Sequence, residues 1–379
     1  MSASAISVFV NCIIRSLLLV TLSSSSVSFS SAFDPLPAIF PVRTRQALVE
    51  KSQRLNAPIL QPDPAKLSSS TDDSNNNRYY QYGTAGWSNR AATVLTPQAP
   101  GVWTADRPFY WNNIDVGCRC TVLELPPSSS KNNKDDRPDL WIHSPVALDG
   151  PMKQACESLG RVKYVVSPNY EHVSFVKGWS QVYSKDDDVQ MWACPGLMER
   201  MPDISWTGEI PHGYRPNGWK GPVPSTTSTA GTTTMLGWDE SIIQPLHVNI
   251  EKNPFTGRPF FNEVVYYHTP SKTLMVTDVF WNYPRDTVPN SQYGRDDAWE
   301  LAPESVPEVP LGSRLWKFGM DQIYGPFYNT FMVTDPAEYR AIANHIVNEW
   351  DVEMLIPAHG DILRGKEFIR DVLTKHFQL

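Results

Sequence analysis

The sequence predicts a mixed α/β sandwich in which helices cover two packed sheets. Three observations carry that expectation. Strand-like runs such as 118–125 and 140–143 come first, the former alternating in polarity. Strand–helix units follow, and the chain then returns to strands and closes on strand–helix once more. Finally, 379 residues that are 41% hydrophobic and 19% charged can bury one large core or two small ones.

Taken in order, the N-terminus reads as targeting sequence. Residues 5–22 are largely apolar, and Ser30-Ser31-Ala32 sets small residues before Phe33, so 1–32 has the layout of a signal peptide. Arg15 interrupts the apolar run, which leaves it too short to span a bilayer. The mature chain is expected to have no transmembrane segment. Basic residues Arg43, Arg45, Lys51, Arg54 and Lys66 then lead into the polar tract 67–78, so 33–78 reads as a transit-like segment and linker. The Ala32-Phe33 junction resembles that of the bipartite plastid presequences of algae, which implies a plastid destination. Secretion is the alternative.

A single domain is expected over 79–379. Its strands are 118–125, 140–143, 161–166, 189–193 and 244–250, with a hairpin over 263–278. Polar or Gly/Pro-rich insertions fall near 126–139, 212–240 and 282–312. Helices are expected at 150–159 with Asp149 as cap, at 175–183, from Asp335-Pro336-Ala337-Glu338 onward, and at 366–377. A strand at 352–358 links the last two and stops at His359-Gly360.

Charge and cysteine content exclude several classes. A net charge of -7 argues against a nucleic-acid binder that works by neutralising phosphates. Five cysteines, with Cys12 in the presequence and no C-x-x-C pair, give neither a disulfide framework nor a structural zinc site of that type. The 33 prolines and 13 tryptophans point to irregular loops on an aromatic-rich core.

The residues with chemistry lie at strand ends. Ser167-Pro168-Asn169-Tyr170-Glu171-His172 follows one strand, Asp278 a second and His359 a third. Carboxylates and imidazoles together make a donor set for Zn²⁺, Fe²⁺ or Mn²⁺. Their order resembles the metallo-β-lactamase superfamily, whose hallmark is Thr-His-x-His-x-Asp-His after a strand. More closely, the phrases at 140–148, 166–172 and 195–197 and the hairpin ending at Asp278 resemble the domain of unknown function 4336 family. The resemblance spans about 111–377 and implies a four-layer αββα sandwich of metallo-β-lactamase type.

Carried over position by position, that resemblance implies a damaged site. Ser167 and Asn169 replace two histidines, Glu171 replaces an aspartate, and His172, Asp278 and His359 are kept. No residue matches the middle histidine, since His247 lies too early and His268 sits in the hairpin. What remains is a site for one transition metal, Zn or Fe, with Glu171, His172, Asp278 and His359 as ligands and Glu171 or Asp278 as base. The chemistry implied is hydrolysis of small esters or thioesters. The alternative is a metal-free remnant kept for binding a small molecule or a protein, with the loops as contact surface; oxidoreductase chemistry at a single iron shares the same ligands.

Overall fold

In a computed structural model, residues 87–89, 93–111, 114–127, 137–183, 188–222, 236–283 and 309–379 are described. Residues 1–78, where the targeting segments are expected, and the middle of each insertion lie outside them. The strands are β1 (Thr96–Ala99), β2 (Val102–Arg107), β3 (Tyr110–Trp111), β4 (Ile114–Asp115), β5 (Cys118–Leu125), β6 (Asp139–His143), β7 (Arg161–Ser167), β8 (Gln190–Ala193) and β9 (Gly208–Glu209). Then come β10 (Ile243–Val248), β11 (Glu263–His268), β12 (Thr273–Val276), β13 (Met354–Pro357) and β14 (Leu363–Arg364). The longer helices are α1 (Gly150–Leu159), α2 (Val176–Tyr183), α3 (Leu197–Arg200), α4 (Leu311–Gly319), α5 (Pro336–Asn344) and α6 (Lys366–Phe377).

One sheet has the order β1-β2-β5-β6-β7-β8-β9, the other β10-β11-β12-β13-β14, and β3 pairs with β4 as a separate hairpin. Within the first sheet β6 to β9 run parallel, and β12 and β13 do so in the second. Alternation along the strands assigns side chains to three cores. On β11, Val264 and Tyr266 face the other sheet, while Val265 and Tyr267 face the helices. On β13, Met354 and Ile356 point inward and Leu355 outward. Helices α1 and α2 cover the first sheet through Met152, Cys156, Leu159 and Trp179. Helices α5 and α6 cover the second through Ile342, Ile369, Leu373 and Phe377, joined by Ile346 from the π-type turn His345–Glu349 that continues α5. The result is the expected helix–sheet–sheet–helix order. Because these strands are buried on both faces, they read as apolar runs rather than as strict alternation.

One irregularity carries weight for the site. Leu140 pairs with Val162 but Trp141 pairs with Tyr164, so Lys163 is an extra residue in β7. The bulge sends Tyr164 and Val166 inward between the sheets, whereas Val162 and Val165 face the helices. The next residues therefore leave the strand toward the second sheet, where the Tyr170 amide donates to Phe261 O at 3.0 Å.

Helix starts follow the sequence closely. Asp149 accepts from the Met152 amide at 2.9 Å, and Asp335 accepts from the Ala337 and Glu338 amides at 3.0 and 2.9 Å. The second half of the capping box is not made: Glu338 forms an ion pair with Arg215 instead. A larger departure is the helical segment that starts at Leu311 and runs to Met332, which sequence periodicity does not reveal. It alternates α-helical turns with π-type turns at Met320–Tyr324 and Tyr328–Met332. Each π-type turn inserts extra residues, so the apolar positions drift out of the 3.6-residue repeat, and Gly319, Gly325 and Pro326 read as breakers. Among the described residues no helix is long and apolar enough to cross a membrane. The four described cysteines are all free.

Candidate metal centre

Strand ends from both sheets meet at one edge of the sandwich. Segment 168–172 leaves β7, residues 277–279 leave β12, and 358–360 leave β13. All three follow the carboxyl ends of parallel strands, where α/β sheets bring loops together into crevices. Here one donor each from His172, Asp278 and His359 lies within 4.8 Å of the other two. His172 Nε2 stands 3.3 Å from Asp278 Oδ2, and His359 Nε2 stands 3.6 Å from Asp278 Oδ1. The two imidazoles meet edge to face with centroids 5.1 Å apart.

Each donor is aimed by a second contact. His359 Nδ1 lies 2.8 Å from Gly117 O, so that nitrogen carries the proton and Nε2 presents its lone pair to Asp278. His172 Nδ1 shares a 2.8 Å hydrogen bond with the Ser144 hydroxyl, and Ser144 follows β6 with φ at +52°. Asn169, at a position where the sequence resemblance implies a histidine, works as a hydrogen-bond hub. Its Oδ1 accepts from the Glu171 and His172 amides at 3.0 and 2.8 Å. Its Nδ2 donates to Asp278 Oδ2 at 2.6 Å and Thr277 Oγ1 at 2.9 Å. Asparagine closing a turn on its own downstream amides is familiar local chemistry; the reach to Asp278 across the sandwich is not visible from spacing.

Two more side chains hold the loops. Glu263 on β11 is 1% exposed and accepts from three consecutive amides, Thr277 at 2.6 Å, Asp278 at 2.7 Å and Val279 at 2.8 Å. Successive amides converging on one carboxylate form an anion nest that is already filled from within. Arg119 on β5 donates to Pro357 O at 2.8 Å and Gly360 O at 2.6 Å, and pairs with Asp106 at 2.7 Å. Gly360 sits at φ +89°, where the Asn282 amide donates to His359 O and the Asp361 amide donates to Asn282 O. Neither Glu263 nor Arg119 stands out as functional in the sequence. The one available signal is a charged residue beginning the otherwise apolar run Glu263-Val264-Val265-Tyr266-Tyr267.

The charges are coupled. Burial works against ionised Asp278, yet His172, His359 and the Asn169 amide outweigh it and hold the carboxyl below its usual range. Burial also opposes a proton on His172, but Asp278 reverses the balance and raises it. Burial and the charge of His172 push His359 down to about 4. Any ion bound at His172 therefore competes with that residue's own proton.

Geometry bears on the metal expectation directly. A charge-assisted hydrogen bond is about 2.7–2.9 Å long. Two donors sharing one tetrahedral ion at about 2.0–2.2 Å lie roughly 3.3–3.6 Å apart. The His172 and His359 separations from Asp278 match the second spacing, each measured to a different oxygen of the carboxylate. Two imidazoles and a carboxylate also suit a borderline divalent cation. The residues present thus fit a single ion.

Glu171, the fourth expected ligand, is not part of this group of three; it is exposed at the rim. Desolvation by the surrounding loops and the charge of Asp278 push its carboxyl up to about 7, a push that its exposure to solvent partly screens. Ser167, the last residue of β7, is fully buried. His143, at the end of β6, stacks on Trp141 and meets Tyr266 edge to face. His247 is a structural residue: Nδ1 accepts from the Gly213 amide at 2.8 Å and Nε2 donates to Asn262 Oδ1 at 3.0 Å.

These interior histidines carry a pH consequence. Burial holds His143 and His247 down to about 3, and His268 and His345 to about 4. Unfolded, each titrates near 6.5, so their neutral packing stabilises the fold fully above that pH and is lost as pH falls toward 3–4. Glu251, pushed up to about 8, and Glu263 and Glu171, each pushed up to about 7, act in the opposite sense but are fewer. The melting temperature is expected to fall steadily from pH 6.5 to 4.5. A flat profile over that interval in thermal melts would contradict it.

Comparisons with known proteins find distant likenesses only. No curated protein matches the sequence. Among solved structures, the chain is similar to a metallo-beta-lactamase from Pontibacter korlensis, at 12% identity over 75% of this chain and 98% of that one, TM-score 0.38. A metallo-beta-lactamase from Erythrobacter litoralis gives 12% identity, 75% and 96% coverage and a TM-score of 0.41. The rubredoxin oxygen:oxidoreductase of Desulfovibrio gigas gives 12%, 75% and 61%, and 0.43. In sequence, the profile described as "Domain of unknown function (DUF4336)" matches residues 100–298, more than half of the chain, and to that family the chain belongs.

Proposed function

We propose that the protein is a single-metal hydrolase of small esters or thioesters, with His172, Asp278 and His359 holding one Zn or Fe ion. The observation that supports it most is the convergence of three donors, each already aimed by Gly117, Ser144 or Asn169. A bound divalent ion of this kind polarises a carbonyl and acidifies a water. The chain's own contribution is placement: the Gly117 and Ser144 contacts fix both rings, and the clasp between 282 and 361 fixes the His359 loop. Glu171, exposed beside the donors and raised toward neutrality, is suited to take and return a proton.

A second reading, a metal-free domain that binds a small molecule or a protein, draws support from Asn169. Its amide occupies Asp278 Oδ2 at 2.6 Å, which satisfies that oxygen without any ion. Elemental analysis of the purified full chain separates the two. About one transition-metal ion per chain is expected, lost in His359→Ala and retained in Glu171→Ala, whose defect should lie in ester or thioester turnover. Protein that takes up no metal and folds unchanged would leave only the binding reading.

A further inference from the structure

Beside Glu171 the site carries a cation with no assigned role. Arg200, the last residue of α3, is exposed, and its guanidinium lies flat over Tyr170 with Cζ 3.6 Å from the ring centroid. Tyr170 is itself fixed at both ends: its hydroxyl donates to Pro195 O at 2.9 Å and its amide to Phe261 O at 3.0 Å. The platform is therefore rigid, and it stands two residues before His172. Tyr170 belongs to the same 168–172 segment as His172, so the stacked guanidinium lies over the segment that carries that donor. Besides the stack on Tyr170, Arg200 makes no hydrogen bond or ion pair to another described residue. The neighbouring Glu209 carboxylate accepts from the Gly196 amide at 3.0 Å.

A stacked guanidinium keeps its N–H edge free in a fixed plane, the arrangement that binds a carboxylate or phosphate through two parallel hydrogen bonds. From this we propose that Arg200, seated on Tyr170, anchors an anionic group of the substrate, a carboxylate or a phosphate, at the mouth of the His172–Asp278–His359 site. This narrows the substrate of the proposed hydrolase to negatively charged esters or thioesters, and to that extent it rests on that reading.

The test is calorimetric titration of the purified full chain with succinate and, separately, inorganic phosphate, beside Arg200→Met and Arg200→Lys, with metal content measured on each preparation. Wild type is expected to bind at least one of the two anions, and which one identifies the group. Arg200→Met should weaken that binding about tenfold or more. Arg200→Lys should recover only part of it, because a lysine keeps the charge but not the planar fork. Metal content and melting temperature should not move, since the side chain is exposed. Equal affinity in Arg200→Met, or no binding of either anion by wild type, overturns the proposal. Metal-free protein that still shows Arg200-dependent binding would end the hydrolase reading and leave the anchor standing.

Discussion

Glu263→Ala is expected to lower folding stability by about 4 kcal/mol, the effect of stranding buried amides that lose a charged acceptor. Both carboxylate oxygens are engaged, one by Thr277 and the other by Asp278 and Val279, and the residue is almost fully enclosed. Alanine leaves three successive N–H groups facing a void too enclosed for free hydration. Set against a total stability of roughly 5–15 kcal/mol for a typical domain, such a loss removes a large share of the folded population. Glu263→Gln, which keeps one acceptor oxygen, should lose less. Urea unfolding followed by tryptophan emission measures both, and a cost under about 1 kcal/mol for alanine would show that the loop after β12 is held by other means.

Gly360→Ala is expected to be nearly as severe, at about 2–5 kcal/mol, for a steric reason. A methyl group there would lie 2.0 Å from Asn282 O, 2.2 Å from its carbonyl carbon and 2.6 Å from the Tyr283 amide nitrogen. None of those atoms belongs to a flexible side chain, so the backbone has to move, and φ of +89° adds torsional strain. Gly257 is the internal control: it also has positive φ, +68°, but a methyl group would meet nothing within 4 Å. Gly257→Ala should therefore show the torsional cost alone, about 1–2 kcal/mol. If the two variants melt alike, crowding at Asn282 is not what glycine relieves at position 360.

What the sequence makes legible is local. The hairpin over 263–278, the Asp149 and Asp335 caps and the strand stopping at His359 each depend on residues a few positions apart, and all are found. Asp278 and His359 could be paired in advance only because the superfamily pattern joins them. The residues that complete the centre act across the fold: Asn169 reaches Asp278 from the other sheet, Glu263 holds a loop fourteen to sixteen positions on, and Gly117 offers a carbonyl to His359. Periodicity marks none of these reaches, and the charged start of the apolar run at Glu263 is the one local signal. The segment from Leu311 to Met332 escapes for a different reason, since its π-type turns erase the repeat by which a helix is recognised.

Arg119 and Gly117 give the two sheets a shared fate. Both belong to the stretch that opens β5 in the first sheet, yet one grips the carbonyls of Pro357 and Gly360 and the other the ring of His359 in the second. Sliding or opening the sheets at this edge would pull His359 away from Asp278. Occupancy of the centre and cohesion of the sandwich are thus reciprocal: whatever binds there raises the work of prising the sheets apart by its own binding free energy, and whatever loosens the sheets weakens binding without touching the ligand.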